Sequence, residues 1–122
     1  MRKASTLLVL VITAALLVPA AGCGKDKEKM SDAELGLNAQ QAQGRRIYNL
    51  YCLSCHPAYS THGNKGPGLE GLYNKPYFPS GLTSTDEHVT ETIVRGRGMM
   101  PGFGDQLSQQ DIQNLVAYLH TL

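Results

Sequence analysis

The feature that most constrains this chain is the string YCLSCHP at residues 51–57, in which two residues separate Cys52 from Cys55 and His56 follows directly. The chain has 122 residues and three cysteines, so two of the three lie in this one string. A zinc centre, a redox-active dithiol and a covalently attached haem can each use a C-x-x-C pair. The rest of the sequence must distinguish these three kinds of site.

The complete C-x-x-C-H string is the attachment signature of c-type haem. Cys52 and Cys55 are close enough to form one thioether each with the two vinyl groups of a single porphyrin, and His56 then lies beside the iron. A thioredoxin-like dithiol should instead follow a strand and open a helix. A zinc site should have further ligands at fixed spacing, whereas the other histidines are scattered singly along the chain. We therefore expect one covalent haem c with its iron, and the zinc site and the dithiol are the alternatives.

The N-terminus predicts export from the cytoplasm. Residues 1–22 begin with a basic tripeptide, continue with the apolar run LLVLVITAALLV and end on small residues. This order is typical of a secretory signal peptide. The apolar run is shorter than the roughly 20 residues that span a bilayer, so a retained membrane helix is the less favoured alternative.

The end of this segment, AAGC at residues 20–23, resembles the lipobox of bacterial lipoproteins. The resemblance implies that Cys23 is lipidated and becomes the first residue of the mature chain. Ordinary signal cleavage, which would leave Cys23 as a free thiol, is the alternative. Several acyl chains together give stable membrane attachment. We therefore expect a protein anchored by lipid on the periplasmic or outer face of the cell membrane.

Charge separates the segment after Cys23 from the rest of the chain. Residues 23–38 mix many charges with few apolar side chains, which predicts a lipidated N-terminus followed by a solvated, flexible tether. The whole chain carries a net charge of +1 without a basic stripe. We therefore expect no nucleic-acid partner.

Residues 39–122 are predicted to form one domain of the all-α class. A first helix is expected from about Ala39 to Tyr51, and a second is expected to begin at a Ser84 cap and to end before Gly96. A third is expected after a Ser108 cap, because the apolar residues that follow have helical spacing.

The segment between the first two predicted helices is rich in glycine, proline and small polar residues, and it predicts long loops. A domain this small with long loops is marginal unless something else adds buried surface. A large apolar cofactor inside the domain would supply that surface.

The stretch 40–122 as a whole resembles a small bacterial class I (monohaem) cytochrome c. Gly44 and Tyr48 stand where the first helix of that family has its glycine and its aromatic residue. Leu115 and Tyr118 match the pair on the last helix that packs across them. The resemblance implies a cytochrome c domain at 39–122, with about three main helices and long loops around one haem c.

The loop NKGPGLEGL at residues 64–72 resembles the family segment that follows the haem motif. By this resemblance the carbonyl of Pro67 accepts a hydrogen bond from His56, and Leu69 touches the haem face. A simple turn at GPG is the alternative interpretation.

The segment RGRGMMPGFG at residues 95–104 resembles the part of the family that supplies the second axial ligand. Met100 takes that place because it directly precedes Pro101, and Met99 is the nearest alternative. The resemblance thus implies that His56 and Met100 bind the iron.

These expectations together describe a monomeric, membrane-tethered one-electron carrier rather than an enzyme. Its partners would be redox proteins such as an oxidase, a quinol-oxidising complex, a reductase or a dehydrogenase. A peroxidase-like haem enzyme or a gas-ligand sensor is the alternative, and it would require Met100 to be labile or unbound. A docking subunit of a larger complex is a third hypothesis.

Overall fold

The computed structural model describes residues 24–122, so the predicted signal peptide and the lipidation of Cys23 lie outside the described residues. Long loops connect three helices, which are α1 (Ala39–Tyr51), α2 (Asp86–Arg95) and α3 (Gln109–Leu119). Short 3₁₀ turns form at Lys27–Lys29 and Leu72–Asn74, and residues 24–122 contain no β-strand. No helix in this part of the chain is long and apolar enough to cross a membrane. The fold is small and all-α, as predicted.

Helices α1 and α3 both begin with a reciprocal side-chain cap. The side chain of Asn38 accepts a hydrogen bond from the Gln41 N–H, and the Gln41 side chain accepts one from the Asn38 N–H. Ser108 and Asp111 form the same arrangement at the start of α3. These contacts satisfy N–H groups that have no partner within the first helical turn. The structure confirms the predicted limits of α1 and the predicted cap of α3.

The predicted cap of α2 is wrong by one residue. Thr85 is the N-cap, and its side chain accepts a hydrogen bond from the N–H of His88. The hydroxyl of Ser84 is buried and has no hydrogen-bond partner among the described residues. Serine and threonine both cap helices well, so their order in the sequence does not show which one does so. Gly96 ends α2 as predicted, with a φ of 75° that favours glycine.

Helices α1 and α3 cross in close contact at Gly44. A Cβ atom on Gly44 would lie 1.9 Å from the carbonyl oxygen of Asn114, so only glycine permits this approach. Beside the crossing, the rings of Tyr48 and Tyr118 pack edge to face with centroids 5.3 Å apart. Both rings and Leu115 are fully buried. The packing that the resemblance implied for these residues is therefore present.

Residues 25–37, here called the N-terminal strap, fold back onto α1. Arg45 is buried, with 11% of its side chain exposed. It donates hydrogen bonds to Asp32 Oδ1 at 2.9 Å and to the carbonyl of Glu28 at 3.1 Å. Lys27 Nζ lies 5.6 Å above the centre of the Tyr59 ring. The sequence predicted a flexible tether here, and its charge density alone does not show that Arg45 faces inward to meet the strap.

Candidate cofactor site

A cavity of about 1020 Å³ lies between the helices and the long loops. This volume is at the upper end of the roughly 300–1,000 Å³ that is typical of small-molecule and cofactor sites. Apolar side chains from all three helices and both long loops line it, including Tyr51, Leu69, Leu72, Phe78, Val89, Ile93, Phe103, Leu115 and Leu119. The cavity therefore suits a large apolar group.

The C-x-x-C-H motif lies in the wall of this cavity, directly after α1. The N–H of Cys52 donates to the carbonyl of Tyr48 at 2.8 Å and so ends the helix. Cys55 and His56 both donate their N–H groups to the carbonyl of Cys52, at 3.0 and 2.9 Å. This tight turn brings both thiols and the imidazole to the cavity. The position after a helix differs from the strand-to-helix turn that the dithiol alternative requires.

The two thiols are half-buried and unbridged. Burial, with a further contribution from Cys55, raises the pKa of the Cys52 thiol to about 12. Cys52 is therefore a neutral thiol at physiological pH, and a neutral thioether formed there would avoid burying a charge.

The imidazole of His56 is held in one orientation by the loop that follows it. Its Nδ1 lies 2.9 Å from the carbonyl oxygen of Pro67. Because a carbonyl can only accept, Nδ1 carries the hydrogen and Nε2 keeps its lone pair for a metal. The hydroxyl of Tyr48 donates to the backbone carbonyl of His56. The loop thus fixes the tautomer of this residue, and Tyr48 on α1 fixes its backbone.

The loop folds on itself to place Pro67 and Leu69. The N–H of Gly66 donates to the carbonyl of Cys55 at 2.9 Å, and the N–H of Leu69 donates to the carbonyl of Pro57 at 2.9 Å. A Cβ atom on Gly66 would lie 2.3 Å from Cε1 of His56. The close approach of loop and imidazole therefore requires glycine. The half-buried side chain of Leu69 lines the cavity.

The segment after α2 brings Met100 to the same cavity. Arg97 and Met100 exchange two backbone hydrogen bonds of 3.0 Å each, and the N–H of Phe103 donates to the carbonyl of Ile93 at 2.8 Å. Met100 is half-buried, whereas Met99 is 95% exposed although it also borders the cavity. Of the two methionines, Met100 is therefore the one that the fold directs inward.

Several residues that shape the cavity are not apparent from the sequence. Phe78, Ile93 and Leu119 line it, and Tyr51 packs edge to face on Phe103 with centroids 5.8 Å apart. Phe78 carried a usable signal, because it is one of the few large apolar residues in a loop rich in glycine, proline and small polar residues. The helical residues gave no such signal, since their spacing fits any buried helix face.

The geometry fits a covalently bound haem better than the two alternatives. Two thiols, a correctly protonated imidazole and a thioether border one large apolar cavity. Within residues 24–122, no three histidine, cysteine or acidic side chains cluster in a way that could hold a metal ion, which disfavours a zinc site. The cavity would bury the apolar porphyrin that a domain of this size needs.

Known proteins match this chain across the same region. Residues 39–119 match the family described as cytochrome c oxidase, cbb3-type, subunit III. The chain is 34% identical over 100 residues to cytochrome c-551 of Bacillus subtilis, covering 80% of each chain. It is 31% identical over 84 residues to cytochrome c6 of Picosynechococcus sp., covering 66% of this chain and 72% of the relative. It is 32% identical over 85 residues to the cbb3-type cytochrome c oxidase subunit CcoP of Cereibacter sphaeroides, covering 69% of this chain and 28% of that subunit.

The helical fold, the cavity and the single C-x-x-C-H motif define a small haem c-binding domain. The matches extend over most of that domain. The chain belongs to the cytochrome c family, and it is a monohaem electron-carrier protein with haem c as its cofactor.

Proposed function

We propose that this protein is a lipid-anchored one-electron carrier in which His56 and Met100 are the axial ligands of the haem iron. Cys52 and Cys55 would form the thioether links. The observation that carries the proposal is that these four side chains line one cavity. When bound, haem c supplies an iron that cycles between the ferrous and ferric states. The two ligands would leave no coordination position open for oxygen or peroxide, so we expect no catalytic turnover.

Each proposed ligand has a separate effect on the iron. The hydrogen bond from His56 Nδ1 to Pro67 orients the imidazole and makes Nε2 a stronger donor. The thioether of Met100 is a soft ligand, and His/Met ligation raises the reduction potential. Leu69 and the other apolar side chains exclude water from the cavity. Because both ligands would stay bound in both oxidation states, little of the chain has to move during electron transfer.

We propose that the partners are other redox proteins and that the chain acts as a monomer. A quinol-oxidising complex, a reductase or a dehydrogenase fits this chemistry, and so does a terminal oxidase. The similarity to a protein named as a cbb3-type oxidase subunit supports the oxidase among these partners. The exposed Met99 and Tyr77, which is 59% exposed, give the surface apolar groups that a partner can cover.

The proposed anchor is a lipid on Cys23, which would hold the exported protein at the membrane surface. The N-terminal strap is folded from Lys25 onward, since Lys25 pairs with Glu34 at 2.8 Å. An anchor at Cys23 would therefore hold the domain close to the bilayer instead of on a long flexible tether. Substitution Cys23→Ser tests this: the holoprotein should move from the membrane fraction to the soluble fraction. A variant that stays in the membrane fraction would rule out lipid anchoring at this residue.

Absorption spectra of the purified holoprotein test the axial ligands. The oxidised wild-type protein should show the weak sulfur-to-iron charge-transfer band. Met100→Ala should lose this band, and Met99→Ala should keep it and serve as the matched control. If Met100→Ala keeps the band, Met100 is not the ligand.

Carbon monoxide separates the carrier from the enzyme or sensor alternative. The reduced wild-type protein should not change its spectrum when carbon monoxide is added, whereas Met100→Ala should change at once. An immediate shift in the wild-type protein would show an open or labile position and would favour the alternative.

A further inference from the structure

A cluster of titratable side chains lies outside the proposed ligand set, where α3 ends and α2 begins. His120 Nε2 lies 2.7 Å from Asp86 Oδ1. The ring of Tyr73 stacks on the imidazole of His120, with centroids 3.8 Å apart and planes 13° apart. The C-cap of α3, the first residue of α2 and the 3₁₀ turn Leu72–Asn74 therefore meet at one imidazole.

The environment of His120 allows it to exchange a proton with water. Its side chain is 46% exposed. The titratable groups that face it from the other packed elements are Asp86 and Tyr73. The hydroxyl of Tyr73 is buried and makes no hydrogen bond with the described residues. Burial, and then the nearby Asp86 carboxylate, raise the pKa of the Tyr73 phenol above its ordinary value, so Tyr73 stays neutral at physiological pH.

Each member of the cluster is close along the chain to a residue that lines the cavity. Leu72 precedes Tyr73 and Leu119 precedes His120, and both leucines line the cavity. Val89, which also lines it, lies one turn after Asp86 on α2. The cluster is thus connected to the cavity wall through three elements.

We propose that His120, paired with Asp86, is a proton-binding site that is coupled to the oxidation state of the haem. Histidine is the side chain whose ordinary charge change falls between about pH 5 and 8. A positive charge near the cavity stabilises the reduced state, because reduction adds one negative charge there. Uptake of one electron from a donor protein thus raises the fraction of His120 that carries a proton taken from water, and oxidation lowers this fraction again. By linkage, proton binding and electron binding favour each other to the same extent.

His120 acts here as a positioning residue and a source of charge, not as an iron ligand. Protonation converts its hydrogen bond with Asp86 into a charge-assisted pair, which is the stronger type. The stacked Tyr73 ring then faces a cation, an arrangement that is also attractive. At low pH the first contact would hold the end of α3 more firmly to α2, and the second would hold it more firmly to the 3₁₀ turn.

The test is the midpoint potential of the holoprotein, measured by redox titration at several values between pH 5 and 8. The measured quantity is the equilibrium constant for reduction of the wild-type protein by a mediator whose own potential does not depend on pH. This constant should fall by about threefold across this range. That change equals about 28 mV, at about 59 mV for each tenfold change of a one-electron couple. His120→Gln keeps a hydrogen-bond donor toward Asp86 but cannot titrate, so the curve of this variant should be flatter. His62→Gln, in an exposed loop away from the cavity, should keep the wild-type curve.

A second variant keeps the test decisive if His120→Gln folds poorly. Asp86→Asn retains the imidazole but removes the carboxylate that pairs with it, so the curve of this variant should also differ from the wild-type curve. Equal curves for wild type, His120→Gln and Asp86→Asn would overturn the proposal and would assign any pH dependence to other groups. The measurement needs only the bound haem, so its outcome is independent of the proposed lipid anchor.

Discussion

The imidazole of His56 and the carbonyl of Pro67 are joined by a 2.9 Å hydrogen bond that selects the tautomer with Nε2 free. Gly66, the residue before Pro67, makes this hydrogen bond possible. A Cβ atom on Gly66 would lie 2.3 Å from Cε1 of His56 and 2.7 Å from its Nδ1. The loop therefore closes on the imidazole at a distance that no other residue type permits.

Substitution Gly66→Ala should displace either the loop or the imidazole. We expect the holoprotein to lose about 1–3 kcal/mol of unfolding free energy, the usual cost of forcing an extra carbon into a packed site. Denaturation in guanidinium chloride, followed by haem absorption, measures this change. Gly24→Ala is the matched control, since a Cβ atom there meets nothing within 4 Å. If Gly66→Ala and Gly24→Ala are equally stable, the loop can move to accept the extra carbon without loss of unfolding free energy.

The hydroxyl of Tyr48 should stabilise the haem-motif turn through its hydrogen bond to the carbonyl of His56. Tyr48 is 0% exposed, so Tyr48→Phe leaves a buried acceptor without its donor. We expect a loss of about 1–3 kcal/mol of unfolding free energy with an unchanged visible spectrum, because no ligand is altered. Tyr77→Phe, at a 59% exposed side chain, is the control and should change stability by less than about 0.5 kcal/mol. A spectrum that changes in Tyr48→Phe would mean that this tyrosine also controls the ligands.

Alkaline pH should destabilise the protein through its buried tyrosines. Burial raises the pKa of Tyr48 and of Tyr118 above the ordinary value of 10.0, and Tyr59 contributes further to the shift at Tyr118. A raised pKa in the folded state means that the stability contribution is complete below pH 10 and is lost as the pH rises further. We expect tyrosinate absorption from Tyr48 and Tyr118 only on unfolding, which a pH titration followed by both tyrosinate absorption and circular dichroism measures. Ionisation of both rings near pH 10 in a protein that is still folded would contradict this.

The crossing of α1 and α3 should depend on Gly44. A Cβ atom there would lie 1.9 Å from a backbone oxygen of Asn114, which cannot rotate away. Gly44→Ala should therefore lower the unfolding free energy by about 1–3 kcal/mol, although alanine favours a helix over glycine by about 1 kcal/mol. Chemical denaturation measures the net effect, and Asn49→Ala on the exposed face of α1 is the control. A gain in stability for Gly44→Ala would show that the helices can separate at little cost.

The sequence predicts the helices and the haem motif because each has a short-range signal. Capping side chains mark Asn38 and Ser108, helical spacing marks α3, and C-x-x-C-H is specific on its own. The choice between Ser84 and Thr85 as the cap of α2 was not predictable, since adjacent hydroxyl residues have nearly equal capping energies.

The sequence does not reveal contacts between distant parts of the chain. Arg45 meets Asp32 across 13 residues, and His120 meets Asp86 across 34. In both pairs the charges follow no local pattern, so surface exposure was the default expectation. The inward direction of Met100 had a local signal in Pro101, which disfavours a helical conformation at the residue before it.

The last prediction concerns the ion pair that holds the N-terminal strap on α1. Substitutions of Asp32 and of Arg45 should lower the unfolding free energy by different amounts. Asp32→Asn leaves the buried guanidinium of Arg45 without a counter-ion, and we expect a loss of about 1–3 kcal/mol of unfolding free energy. Arg45→Met removes the buried charge and fills its volume, while Asp32, with a side chain 38% exposed, stays hydrated and lies 3.8 Å from Arg46. This variant should therefore lose less stability than Asp32→Asn.

Trypsin reports directly on whether the strap stays folded, since three lysines lie within it at Lys25, Lys27 and Lys29. When opening and closing are fast, the cleavage rate follows the population of the open strap. Asp32→Asn should be cleaved several-fold faster than the wild-type holoprotein. Glu91→Gln, which breaks the exposed pair with Arg95 on α2, should be cleaved at the wild-type rate. If Asp32→Asn is cleaved no faster than Glu91→Gln, the ion pair with Arg45 is not what holds the strap on α1.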